Sequence, residues 1–85
     1  MRTAVMGFIV DNFLFGDADR APRDEESLME GGIIDSTGVL ELIEFLESSF
    51  GIEVPETETV PENLDSVVNL CRYVMRKRSD LPAAV

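Results

Sequence analysis

The chain has 85 residues, 45% of them hydrophobic, with 17 acidic against 7 basic side chains and a formal net charge of −10. A chain of this length makes one small domain that buries only roughly 60–65% of its unfolded surface. So acidic a balance excludes the basic footprint that nucleic-acid binding requires and favours basic protein partners instead.

The first element predicted is a helix from about Thr3 to Phe15, with Val5, Phe8, Ile9 and Phe13 at helical spacing and Gly16 closing it. Met6, Val10 and Leu14 widen the apolar face, and Asn12 falls inside it, so the pattern leaves the buried side open. The same stretch, TAVMGFIVDNFLF, is broken by Asp11 and Asn12. It is too short to span a bilayer and has no cleavage-site pattern, so neither a membrane span nor a targeting signal is expected.

The segment GDADRAPRDEESLMEGGII follows, rich in charge, Gly and Pro. A connection of this length is unusual in a compact domain. Leu28 and one of Ile33 or Ile34 are expected to tie it to the core. The second helix, about Ser36 to Phe50, has the clearest pattern, with Val39, Leu42, Ile43, Leu46 and Phe50 in one stripe. Asp35 is its N-cap candidate and Gly51 its stop. The run IEVPETETVP reads as a loop, PENL as a single turn with Pro61 at its first position, and the last helix as about Ser66 to Arg78. Its stripe is Val67, Leu70, Cys71 and Val74, with Asp65 or Ser66 as cap and Arg76, Lys77 and Arg78 at the negative end of its dipole. Residues 1–78 form the domain, and 79–85 read as a flexible tail. The predicted class is all-α, a bundle of three main helices and one short one with a long first loop.

The chemistry open to these residues is narrow. There is no histidine to activate a serine nucleophile. Lys77 is the only lysine and lies near a helix end, and Cys71 is the only cysteine. A transition-metal site lacks ligands, and a lone cysteine forms no intramolecular disulfide, which points to a cytoplasmic protein. The run from Asp17 begins like a calcium loop, but Ala21 and Pro22 fall where a ligand and the turn glycine belong. No catalytic residue and no metal site are expected. Cys71 reads as a buried structural thiol.

One pair stands out. Asp35 and Ser36 open the second helix, and a helix N-terminus offers unpaired N–H groups and positive potential to a phosphate. Taken alone, the pair reads first as a plain helix start; an attachment point for a phosphate-linked group suits the geometry without being demanded by it. Around it, GIIDSTGVLELIEFLESSFGIEVP resembles the attachment region of acyl carrier proteins, with Asp35, Ser36, Glu41, Leu42, Leu46, Glu47, Phe50, Val54 and Pro55 in the family's pattern. The resemblance covers roughly residues 1–78. Thr37 departs from it, since the family commonly has leucine after the serine.

That resemblance implies an acyl-carrier-like bundle and a covalent role for Ser36. A separate phosphopantetheinyl transferase, using coenzyme A and magnesium, would join 4′-phosphopantetheine to its hydroxyl, with Asp35 as the adjacent helix cap. The arm's thiol would then carry acyl or aminoacyl groups as thioesters, loaded by a ligase and passed to acyl-transferring enzymes with basic docking surfaces. Glu41, Glu44 and Glu47 become docking charges and Leu40 an apolar contact beside the site, although Leu40 could equally pack beneath the first loop. The residues alone allow a solvated acidic face or an unmodified interaction module. A freestanding monomer working in trans is expected, closer to specialised pathways than to central fatty-acid synthesis. Gly31 and Gly32 stand too far upstream of Ser36 for the peptide-synthetase pattern.

Overall fold

The computed structural model describes residues 1–80, so the expected tail falls outside the described residues from position 81 onward. Four α-helices follow in order: α1 Arg2–Phe13, α2 Ser36–Phe50, α3 Pro61–Leu64 and α4 Val67–Asp80. Single 3₁₀ turns lie at Ala18–Arg20 and Glu56–Glu58, and no strand occurs among the described residues. This is the all-α order expected. α4 continues two residues beyond the predicted end, through Asp80.

α1 buries Val5, Ile9 and Val10, and Leu14 just past its end is buried as well. Its second apolar side is used too, because Met6, Phe8 and Phe13 pack half-buried against the core. Asn12 is exposed, its amide donating to the Phe8 carbonyl at 2.9 Å. The helix stops short of the predicted Phe15 for a backbone reason. Phe15 has φ +54° and Gly16 φ +79°, and the resulting turn is closed by Gly16 N–H on the Val10 carbonyl and Asp17 N–H on that of Leu14, both 2.9 Å. A left-handed conformation costs a residue with a Cβ about 1–2 kcal/mol. Phe15 carries that cost while 94% exposed.

The long first loop is fastened rather than loose. Arg2 pairs with Asp24 at 2.7 Å, and the Asp24 carbonyl accepts from Val68 N–H. Asp65, between α3 and α4, holds three donors of the loop: Leu28 N–H on its carbonyl, and Met29 N–H and the Ser27 hydroxyl on its carboxylate. Leu28 and Ile34 are thereby held in the core, while Ile33 is only half-buried.

α4 lies against the other three helices. Val67, Leu70 and Val74 are buried as the stripe predicts, together with Tyr73, which the stripe omitted. Cys71 corrects the expectation of a buried thiol: it is half-buried at the edge of the core, and burial still pushes its thiol above the ordinary value. α1 and α2 meet through aromatic rings. Phe8 stacks on Phe45 at 4.2 Å between centroids, with Phe13 and Phe50 edge-on at the two ends. That contact accounts for Phe45, which points away from the stripe.

The Tyr73 hydroxyl donates to Glu58 Oε1 at 2.7 Å, and Lys77 Nζ lies 3.0 Å from the same oxygen. The hydrogen bond from Tyr73, then that from Lys77, holds the Glu58 carboxyl below its ordinary 4.5. Burial first, then Glu58, pushes the Tyr73 phenol above its ordinary 10.0. A carboxyl lowered by folding contributes stability that is present above its unfolded pKa and lost as pH falls through the folded one. A phenol raised by folding costs stability once the unfolded chain ionises. The melting temperature should therefore fall below about pH 4.5 and again above about pH 10. In Glu58→Gln the acid limb should be shallower. Superimposable acid limbs for the two proteins would remove Glu58 from this account.

Candidate functional site

α2 begins because Asp35 caps it. The residue is extended, at φ −109° and ψ −175°, and its carboxylate accepts the Gly38 N–H at 2.7 Å. Its carbonyl accepts the Val39 N–H at 3.0 Å. Of the first-turn donors this leaves the amides of Ser36 and Thr37, which have no hydrogen-bond partner among the described residues. Ser36 is exposed at the first helical position. Its hydroxyl thus stands in solvent at the positive end of a 15-residue helix, beside two open amide donors. A phosphate ester on that oxygen fits this donor set.

The chain's second Asp-Ser pair is built differently. Ser66 is 4% exposed, and its hydroxyl accepts the Asn69 N–H at 3.1 Å, capping α4. Asp65 is committed to the first loop. Ser66 is a cap and Ser36 is a free hydroxyl.

Gly38 was not singled out by the sequence pattern, yet it decides the local packing. A Cβ there would lie 2.9 Å from Phe13 Cε1 and 3.3 Å from Ile34 Cγ2. The missing side chain lets the end of α1 close onto the first turn of α2, directly beneath the serine's turn. The only available signal was a glycine inside an otherwise strongly periodic helix.

Along α2, Leu40 is 65% exposed, so it does not pack beneath the first loop. Glu41 and Glu44 are exposed and border an open groove floored by Phe8 and Phe45. Glu47 is also exposed but has a second commitment, since its carboxylate accepts the Val54 N–H at 3.0 Å and holds the chain's exit from the helix. α2 itself carries no cation, only Glu41, Glu44 and Glu47. No Lys or Arg lies between Arg23 and Arg72; Arg2 is at the start of α1, Arg20 and Arg23 are in the first loop, and the other four are on α4. On the other side of α2, an apolar cavity of about 160 Å³ is lined by Leu28, Ile34, Val39, Val60 and Leu64.

Over 50 residues the chain is 38% identical to the D-alanyl carrier proteins of Streptococcus pyogenes serotypes M5 (strain Manfredo), M49 (strain NZ131) and M1. Over that segment the chain is similar to these carrier proteins. The aligned segment is 59% of this chain, and it spans 63% of the length of those relatives. No protein-family model matches the sequence. The relatives are named as carriers, not as catalysts, and the all-helical fold accords with an acyl-carrier-like bundle. No helix among the described residues is long and apolar enough to cross a membrane.

Proposed function

We propose that the protein is a covalent carrier, with residues 1–78 as the carrier unit and Ser36 as the attachment point for 4′-phosphopantetheine. The observation that carries this reading is the contrast between the two Asp-Ser pairs: Ser36 is exposed on an open helix start, whereas Ser66 is buried in a cap. The arm, once attached, supplies a thiol that holds a group as a thioester. The chain's own residues present and orient it. Asp35 fixes the first turn, and the open Ser36 and Thr37 amides at the start of α2 would be available to the arm's phosphate. No base is needed within the chain, because a phosphopantetheinyl transferase supplies the chemistry. The chain is its substrate and not an enzyme.

A ligase that loads the thiol and an enzyme that accepts the cargo complete the set of partners, all basic at their docking surfaces and all cytoplasmic. The relatives' name makes a D-alanyl group the first cargo to test, ahead of other aminoacyl groups and short acyl chains. The test is intact mass after incubation with coenzyme A, magnesium and a transferase. The mass of one 4′-phosphopantetheine, mapped to the peptide containing Ser36, supports the reading. An unchanged mass with a transferase active on other carriers refutes it.

The acidic face of α2 gives a graded prediction. Glu44→Lys should slow loading at low salt more than at high salt, because exposed interfacial charges chiefly steer encounter. Its fold should change by no more than about 0.5 kcal/mol. Glu41→Lys lies further round from Ser36 on the helix and should slow loading less. Glu47→Lys should instead lower stability by about 1 kcal/mol, since it leaves the Val54 amide without its acceptor. Initial loading rates at two ionic strengths, with thermal melts of each variant, check all three. Equal rates for wild type and Glu44→Lys at low salt would reduce this face to solvated surface.

A further inference from the structure

We propose that Phe15 is an apolar contact for the transferase that loads Ser36, received by a recess with basic side chains at its rim. The inference rests on the reading of Ser36 as the attachment point. Phe15 is the one non-glycine among the described residues with positive φ, and it is 94% exposed. The turn that holds it is closed by backbone bonds from Gly16 and Asp17, none of which needs a ring at position 15. Glycine or asparagine would take the same backbone conformation with less strain and without an aromatic ring in water. The fold therefore gives no reason for phenylalanine here, and a partner that buries the ring does.

Its position identifies that partner. Phe13, two residues earlier, touches Gly38 in the first turn of α2, and Leu14 between them is buried. Phe15 thus stands at the end of the bundle that presents Ser36. Asp11, Asp17 and Asp19, each within four residues of Phe15 in the chain, are exposed, as is Arg20. The Asp17 carboxylate turns back onto the Asp19 N–H at 3.1 Å, which keeps the turn in shape. An exposed ring in a segment where three aspartates outnumber one arginine fits a basic surface with an apolar recess, and buried aromatic anchors carry much of the energy of such contacts. The acidic face of α2 asks for a partner of the same polarity.

The test compares wild type, Phe15→Asn and Phe15→Trp as substrates of one transferase, with a thermal melt of each. Phe15→Asn should melt at the wild-type temperature or up to about 5 °C higher. Its kcat/KM for loading should fall about tenfold, mainly through KM, because the lost contact is remote from the reacting atoms. Phe15→Trp keeps an apolar ring and should load within about threefold of wild type. A wild-type kcat/KM for Phe15→Asn overturns the proposal. So does slowed loading accompanied by a clearly lower melting temperature, which would make the ring structural. A wild-type protein that is not loaded overturns the reading of Ser36 and this inference together, whereas a loaded wild type with an indifferent Phe15→Asn overturns only the inference.

Discussion

Ser36→Ala protein is expected to gain no mass when incubated with coenzyme A, magnesium and a transferase that converts the wild type fully. The hydroxyl lost is exposed and caps nothing, so the fold should survive and the melting temperature should stay within a few degrees of wild type. Asp35 keeps its bond to Gly38 in this variant, and α2 keeps its start. Ser66→Ala is the matched control and should behave in the opposite way. It removes the acceptor for the Asn69 amide at the head of α4 and should cost about 1 kcal/mol, or roughly 4–8 °C of melting temperature in a domain of this size. Its loading should be complete. A mass gain in Ser36→Ala would end the assignment, and a failure to load folded Ser66→Ala would show that presentation depends on more than the first turn of α2.

The second large effect is expected at Gly38. Gly38→Val puts a branched side chain where even a Cβ would sit 2.9 Å from the Phe13 ring and 3.4 Å from the Asp35 carboxylate. Valine is a better helix former than glycine by a few tenths of a kcal/mol, but overpacking typically costs about 1–3 kcal/mol. The clash should win, and thermal melts should show a drop on the order of 5–15 °C. Asp35 and Phe13 both border the new side chain, so loading at Ser36 should slow as well. Phe13→Leu trims the ring and is destabilising alone, yet Gly38→Val combined with it should melt higher than additivity of the two single changes predicts. Strict additivity, or a Gly38→Val protein as stable as wild type, would show that the end of α1 does not close on this turn.

Much of this was present in the order of residues. The stripe Val39, Leu42, Ile43, Leu46 and Phe50 placed α2 to the residue, with Gly51 closing it at φ +67°. Such a pattern is local: a helix with one apolar side has one way to meet a core. Pro61 opening a single turn is equally local, because its fixed φ and missing N–H suit the first helical position. α1 was harder, since apolar residues surround most of it. Only its neighbours determine that Val5 and Ile9 face the centre while Phe8 and Phe13 bridge to α2.

By itself the sequence determined the helical class, the start of α2 at an Asp-Ser pair, and an acidic chain without histidine, because these depend on periodicity, capping and composition. The residues around Ser36 singled it out by resemblance, but capping alone could not separate it from Ser66, since both follow an aspartate at a helix start. Tertiary structure separated them. Asp65 is bound to the first loop and Ser66 is buried as the cap of α4, while α1 closes on Gly38 from beneath and leaves Ser36 in water. The same holds for Glu47, whose bond to Val54 depends on where the chain goes after α2. Exposure is a property of what lies across a residue in space, and no local pattern records that.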